Sequence, residues 1–120
     1  MNDNAKLWVQ ALRSGEYKKG RWALRRQDKG RDKFCCLGVA CDLYQQQVGG
    51  LFVETKGGLS YYDSRASDLP DRVKDWLGLA DSMGSFQSGK NSLMMLNDRK
   101  GYDFVQIAKV IESEPSLFSV

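Results

Sequence analysis

Residues 34–42 read FCCLGVACD, and their reading decides the fold. Cys35 and Cys36 are adjacent and Cys41 follows, so the stretch is either a thiol or metal site or the most buried helix of a small domain. From Cys35 to Val48 the apolar side chains (Leu37, Val39, Ala40, Leu43 and Tyr44 with the three cysteines) fall on every face of a helix. The run is too long for a typical strand, and Gly49-Gly50 stops it. A buried central helix is therefore expected.

The chain contains no histidine, which removes the usual general base of serine and cysteine hydrolases and excludes histidine-ligated zinc or iron. Structural zinc takes four ligands, usually from spaced cysteine pairs, and Cys35-Cys36 with Cys41 lacks that spacing. A thiol nucleophile has more in its favour. Cys35 or Cys36 would open the helix, where the dipole and Lys33 lower a thiol pKa. Against it, both helix faces carrying thiols are apolar, and cysteine packs as a small hydrophobe. The thiols are expected to be structural, with no metal and no cofactor.

Working outward, 4–14 reads as a helix capped by Asp3 or Asn4, with Leu7, Trp8, Ala11 and Leu12 on one face and Gly15 ending it. RWALRRQ (21–27) alternates Trp22 and Leu24 with basic neighbours, as a half-buried strand does, and Asp28-Lys29-Gly30 turns it back through 32–34. LFVET and LSYYD flank Lys56-Gly57-Gly58 as a second hairpin. A helix is expected over 67–77, capped by Ser67 or Asp68, with Pro70 in its first turn. The glycine- and serine-rich 80–92 reads as an exposed loop. A last helix over about 102–113 opens on Asp103 and Gln106 and buries Phe104, Ile107, Ala108 and Ile111. The fold class is α+β: a single small domain over 1–120, with about four helices packed around a short antiparallel sheet of two hairpins.

Of 120 residues, 42% are hydrophobic and 28% charged, ordinary values for a soluble globular protein. No apolar stretch approaches the ~20 residues that span a bilayer, and the N-terminus does not read as a secretion signal. With three cysteines and no export signal, a reduced cytoplasmic setting is expected. The net charge of +3 is unevenly spread: nine basic against three acidic residues between Arg13 and Lys33 leave the rest of the chain mildly acidic. That balance argues against a DNA mimic and suits phosphate, nucleotide or acidic-protein partners.

Within the basic segment Tyr17 and Trp22 alternate with cations, a pairing suited to phosphates and stacked bases; the commoner outcome for a charge run is a solvated strand face. Arg13, Lys18, Arg21, Arg25 and Lys33 are the candidate phosphate contacts. Tyr17, Trp22 and Tyr61 are candidates for stacking, and Asn97 for reading a base edge. Asn97-Asp98 has an alternative as a turn that orders the last helix, and one tyrosine of Tyr61-Tyr62 must point outward on any strand. Ser88-Gly89-Lys90 only faintly suggests a phosphate loop, with no strong strand before it. Asp68, Asp71 and Asp75 share helical spacing but suit capping and solvation better than acid–base work.

The motifs LRSGxYxxG from Leu12, FCCLGVxCD from Phe34, LP…WLGL from Leu69 and LND…FxxIA…IE from Leu96, in this order, resemble a group of small proteins of tailed-phage genomes and prophages. The resemblance implies phage origin and a setting in the host cell cytoplasm, and brings no activity with it. Small phage proteins without catalytic residues often bind a host component, an analogy of context. Two binding functions follow as expectations. One is a non-enzymatic protein that counters host defence by sequestering an anionic nucleotide signal, in a pocket expected to need a homo-oligomer because 120 residues leave little room for a deep cavity. The other is a protein–protein inhibitor of a host enzyme or defence complex. A cysteine- or carboxylate-based hydrolase is the minority reading, and nucleic-acid binding is disfavoured because the basic excess is local.

Overall fold

The computed structural model describes residues 1–119. Helix α1 spans Asp3–Arg13, hairpin β1–β2 spans Arg25–Asp28 and Arg31–Phe34, and α2 spans Cys36–Gln47. Hairpin β3–β4 (Val53–Lys56, Leu59–Tyr62), α3 (Asp71–Leu77), the two-residue strands β5 (Ser85–Phe86) and β6 (Asn91–Ser92), α4 (Leu93–Asp98) and α5 (Phe104–Ser113) follow. The four long strands form one antiparallel sheet in the order β2-β1-β4-β3. The result is the expected α+β domain: helices packed around a small sheet of two hairpins.

Helix α2 is the centre, as the apolar run predicts. Cys36 to Cys41 and Tyr44 are buried without interruption. Cys35 sits just before it as N-cap, its Sγ accepting from the Gly38 N–H at 3.4 Å. Gly38 lies under the chain at Leu24, where an added Cβ would stand 1.6 Å from the Leu24 carbonyl oxygen. The same carbonyl accepts from the Cys35 N–H. Only a residue without a side chain allows this backbone-on-helix approach. Trp8 crosses from α1 and satisfies its indole N–H on the Cys36 carbonyl at 2.9 Å.

Several expectations are corrected. Helix α1 is capped by Asn2, whose side chain accepts from the Ala5 N–H at 2.8 Å, while Asn2 and Asn4 donate to the Trp76 carbonyl and tie α1 to α3. Its buried face is Ala5, Trp8, Val9 and Leu12, and Leu7 turns outward. The strand after α1 starts only at Arg25, and Trp22 does not alternate with Leu24: it is 57% exposed with φ +68°. Polar anchors from elsewhere override the period-two pattern. The Trp22 N–H is held by Asp98 and the Leu24 N–H by the Ala66 carbonyl.

Helix α3 starts at Asp71, not at Ser67; Pro70 precedes it, and Asp68 turns to Arg65 and Ser82. The residue before proline avoids helical angles, and Leu69 is instead buried, with its N–H on the Ser82 carbonyl. The segment 80–92 is not an open loop. Asp81 accepts from the N–H groups of Met83 and Ser85, β5 pairs with β6, and Phe86 is buried. The fifth helix, α4, follows on a Ser92 cap. The start of α5 is as expected, with Asp103 and Gln106 exchanging both bonds of a capping box.

Candidate functional site

Asn97 and Asp98, in the last turn of α4, are the polar centre of the molecule. Asn97 is fully buried. Its Oδ1 accepts from the Cys36 N–H at 3.1 Å, and its Nδ2 donates to the Gly20 carbonyl at 2.9 Å and to Asp98 Oδ1 at 2.8 Å. Asp98 Oδ1 also accepts from the Trp22 N–H at 2.9 Å. Lys19 donates to the Asn97 carbonyl at 2.9 Å, and burial lowers its pKa, with Arg21 adding to the effect. Two side chains thus lock the start of α2, the end of α4 and the chain at 20–22 together.

The outcome of that lock is the placement of Trp22. A left-handed backbone is costly for a bulky residue and persists only where the surroundings impose it. Here it holds the indole in solvent at the mouth of a groove of about 390 Å³, walled by Met83, Met94 and Met95 and by Ser67, Asp98 and Arg99. Three of the chain's four methionines lie in this one groove, a soft and adaptable wall. The Arg21 guanidinium lies against Gly101, where an added Cβ would meet its Nη2 at 2.7 Å. Neither Arg21 nor Arg99 has a salt-bridge partner among the described residues.

The other candidates from the sequence are dispersed. Arg13 pairs with Glu112 across α1 and α5. Arg25 pairs with Asp32 at 2.6 Å and stacks over Phe34, and Lys33 pairs with Asp28 at 3.1 Å. Tyr17 packs edge-on against Phe34 and donates to Asp42 at 2.5 Å; burial and then Asp42 raise its pKa. Lys18 is exposed, with its carbonyl accepting from the Phe34 N–H. Tyr61 stands opposite Glu54 on the sheet. The basic segment therefore does not close into one anion site, because its own acids and folding contacts divide it. Of these candidates only Trp22 lines the groove, and Asn97 is buried with every side-chain polar atom in use. The methionines escaped the sequence reading; the apolar run 93–96 (LMML) between polar residues was the available signal.

The three thiols are buried and free. Burial pushes Cys35 up to about 12 and raises Cys36 and Cys41 well above the ordinary thiol range. This is opposite to what a nucleophile needs. Native protein at pH 8 should resist a thiol-labelling disulfide reagent and release three equivalents of thiol only in denaturant. Fast labelling of one thiol in the native state would contradict the burial. Linkage gives the pH sign. Below about pH 9 the thiols are protonated both folded and unfolded; above it only the unfolded chain ionises. Stability should therefore fall as pH rises from 9.0 toward about 12.

Among the described residues no helix is long and apolar enough to cross a membrane. No curated protein and no solved structure matches the chain. The family described as a domain of unknown function, DUF8296, matches residues 1–115, and the chain belongs to it.

Proposed function

We propose that the protein is a non-enzymatic binding protein whose site is the Trp22 groove, and that its ligand is an anionic nucleotide. The observation that carries this reading is the exposed indole of Trp22, imposed in a strained backbone by Asp98 and facing a groove with Arg99 at its wall. A base stacks on the indole and settles against the methionines, and Arg99 takes the phosphates. Asp98 does not repel that ligand strongly, because its Oδ1 is bonded to two N–H donors. Together with the resemblance to tailed-phage proteins, the reading is of a phage protein that counters host defence by sequestering a nucleotide signal.

Calorimetric titration with cyclic di- and trinucleotides and ADP-ribose derivatives tests it. Trp22→Ala and Arg99→Ala should each weaken binding by roughly tenfold to a hundredfold. Trp22→Gly should do the same while leaving the fold as stable or more so, since glycine relieves the φ of +68°. No heat with any of these nucleotides removes the proposal.

The methionine wall supports a second reading, a protein–protein inhibitor that seats a partner's apolar side chain in the groove. A partner enzyme whose inhibition survives Met94→Asp would exclude it.

A further inference from the structure

The sheet has two edges, and only one is covered. On β2, Phe34 exchanges backbone bonds with Lys18 and Gly20, both at 2.8 Å. Among the described residues strand β3 has no such cover. Its two-residue turn at Gly57-Gly58 makes Lys56 and Leu59 the pair that exchanges both hydrogen bonds. The alternation then points the backbone groups of Glu54 and Lys56 into the sheet and those of Val53 and Thr55 out of it. The Asp63 N–H on the Phe52 carbonyl keeps the same alternation one step further. Phe52, just before the strand, is 62% exposed, and Val53 is exposed beside it.

We propose that β3 pairs antiparallel with β3 of a second copy of this chain, about a two-fold axis at Thr55, joining two sheets into one. Charge selects the register. An axis at Glu54 sets Glu54 against its own copy, and like charges directly opposite repel. An axis at Val53 sets Glu54 against the apolar Phe52 of the partner subunit. With the axis at Thr55, Glu54 faces Lys56 of the partner subunit, and the symmetry repeats the pair. Thr55 then exchanges both outward hydrogen bonds with its copy. Phe52 falls opposite Gly58 of the partner subunit, which has no side chain to obstruct the ring. The strand is four residues long, so a dimer in the micromolar to millimolar range is expected rather than an obligate one.

Sedimentation equilibrium over that concentration range should show the mass rising from one chain to two. Glu54→Lys and Lys56→Glu should each weaken association about tenfold or more, and the double variant should recover it. Recovery excludes the Glu54-centred register, in which the double variant still opposes two lysines. Thr55→Pro removes an outward N–H at a position where an edge strand tolerates proline, and should stay folded by circular dichroism but remain monomeric. If that variant does not fold, the charge exchange decides alone. A wild-type protein that stays monomeric at millimolar concentration overturns the proposal, as does a dimer indifferent to the charge reversals.

Discussion

Gly38→Ala should remove a large part of the chain's stability and lower its urea midpoint sharply. The new Cβ would stand 1.6 Å from the Leu24 carbonyl oxygen and 2.5 Å from its carbon, and both are backbone atoms with no rotamer to yield. Relief requires Leu24 to move off α2 by more than an ångström. Its N–H is fixed on the Ala66 carbonyl and its C=O on the Cys35 N–H, while its own side chain is fully buried. Overpacking that displaces backbone costs about 4 kcal/mol or more, against a total stability of roughly 5–15 kcal/mol. Gly15→Ala is the control. Gly15 has φ +77° but nothing within 4 Å, so its substitution should cost only ~1 kcal/mol of helix termination. Urea unfolding of both variants checks the pair. A Gly38→Ala protein with a near-normal midpoint would show that the close approach is not required.

That glycine also shows how far the sequence can be read. The apolar run from Cys35 predicts a buried helix because burial on all faces follows from composition alone. The capping box at Asp103 and Gln106 predicts the start of α5 because both partners are three residues apart. What the chain order hides is any contact set at long separation. Nothing near Trp22 in sequence shows that Asp98, 76 residues away, will take its N–H and turn it out of a strand pattern. By contrast, Asp32 and Asp28 lie only seven and five residues from Arg25 and Lys33 across the expected hairpin, so the pairing that divides the basic segment was within local reach. The sequence located the scaffold from local periodicity and located one of the groove's residues, Trp22. The methionine wall depends on β5 and β6 folding back ahead of α4, which a glycine- and serine-rich stretch does not announce.

Asn97→Ala should be the most damaging polar substitution in the molecule. The residue is fully buried and makes three side-chain bonds, to the start of α2, to Gly20 and to its neighbour Asp98. Its loss leaves the Cys36 N–H and the Gly20 carbonyl without their partner, at about 1–3 kcal/mol for each orphaned group. A small cavity adds to this, for a total of roughly 3–5 kcal/mol. Asn97→Asp keeps the acceptor for Cys36 but loses both donors and sets a second carboxylate beside Asp98, so it should not rescue. The two effects of the lock can be separated. Asn97→Ala should lower the melting temperature and also free Trp22, seen as weaker groove binding at temperatures where the variant is still folded. Trp22→Ala should weaken groove binding with little change in melting temperature, because the side chain is largely exposed. If Asn97→Ala destabilises the fold but leaves groove binding unchanged, the Asn97–Asp98 pair serves the scaffold alone. Coupled loss of both would show that the residue which pins α2 to α4 also presents the indole.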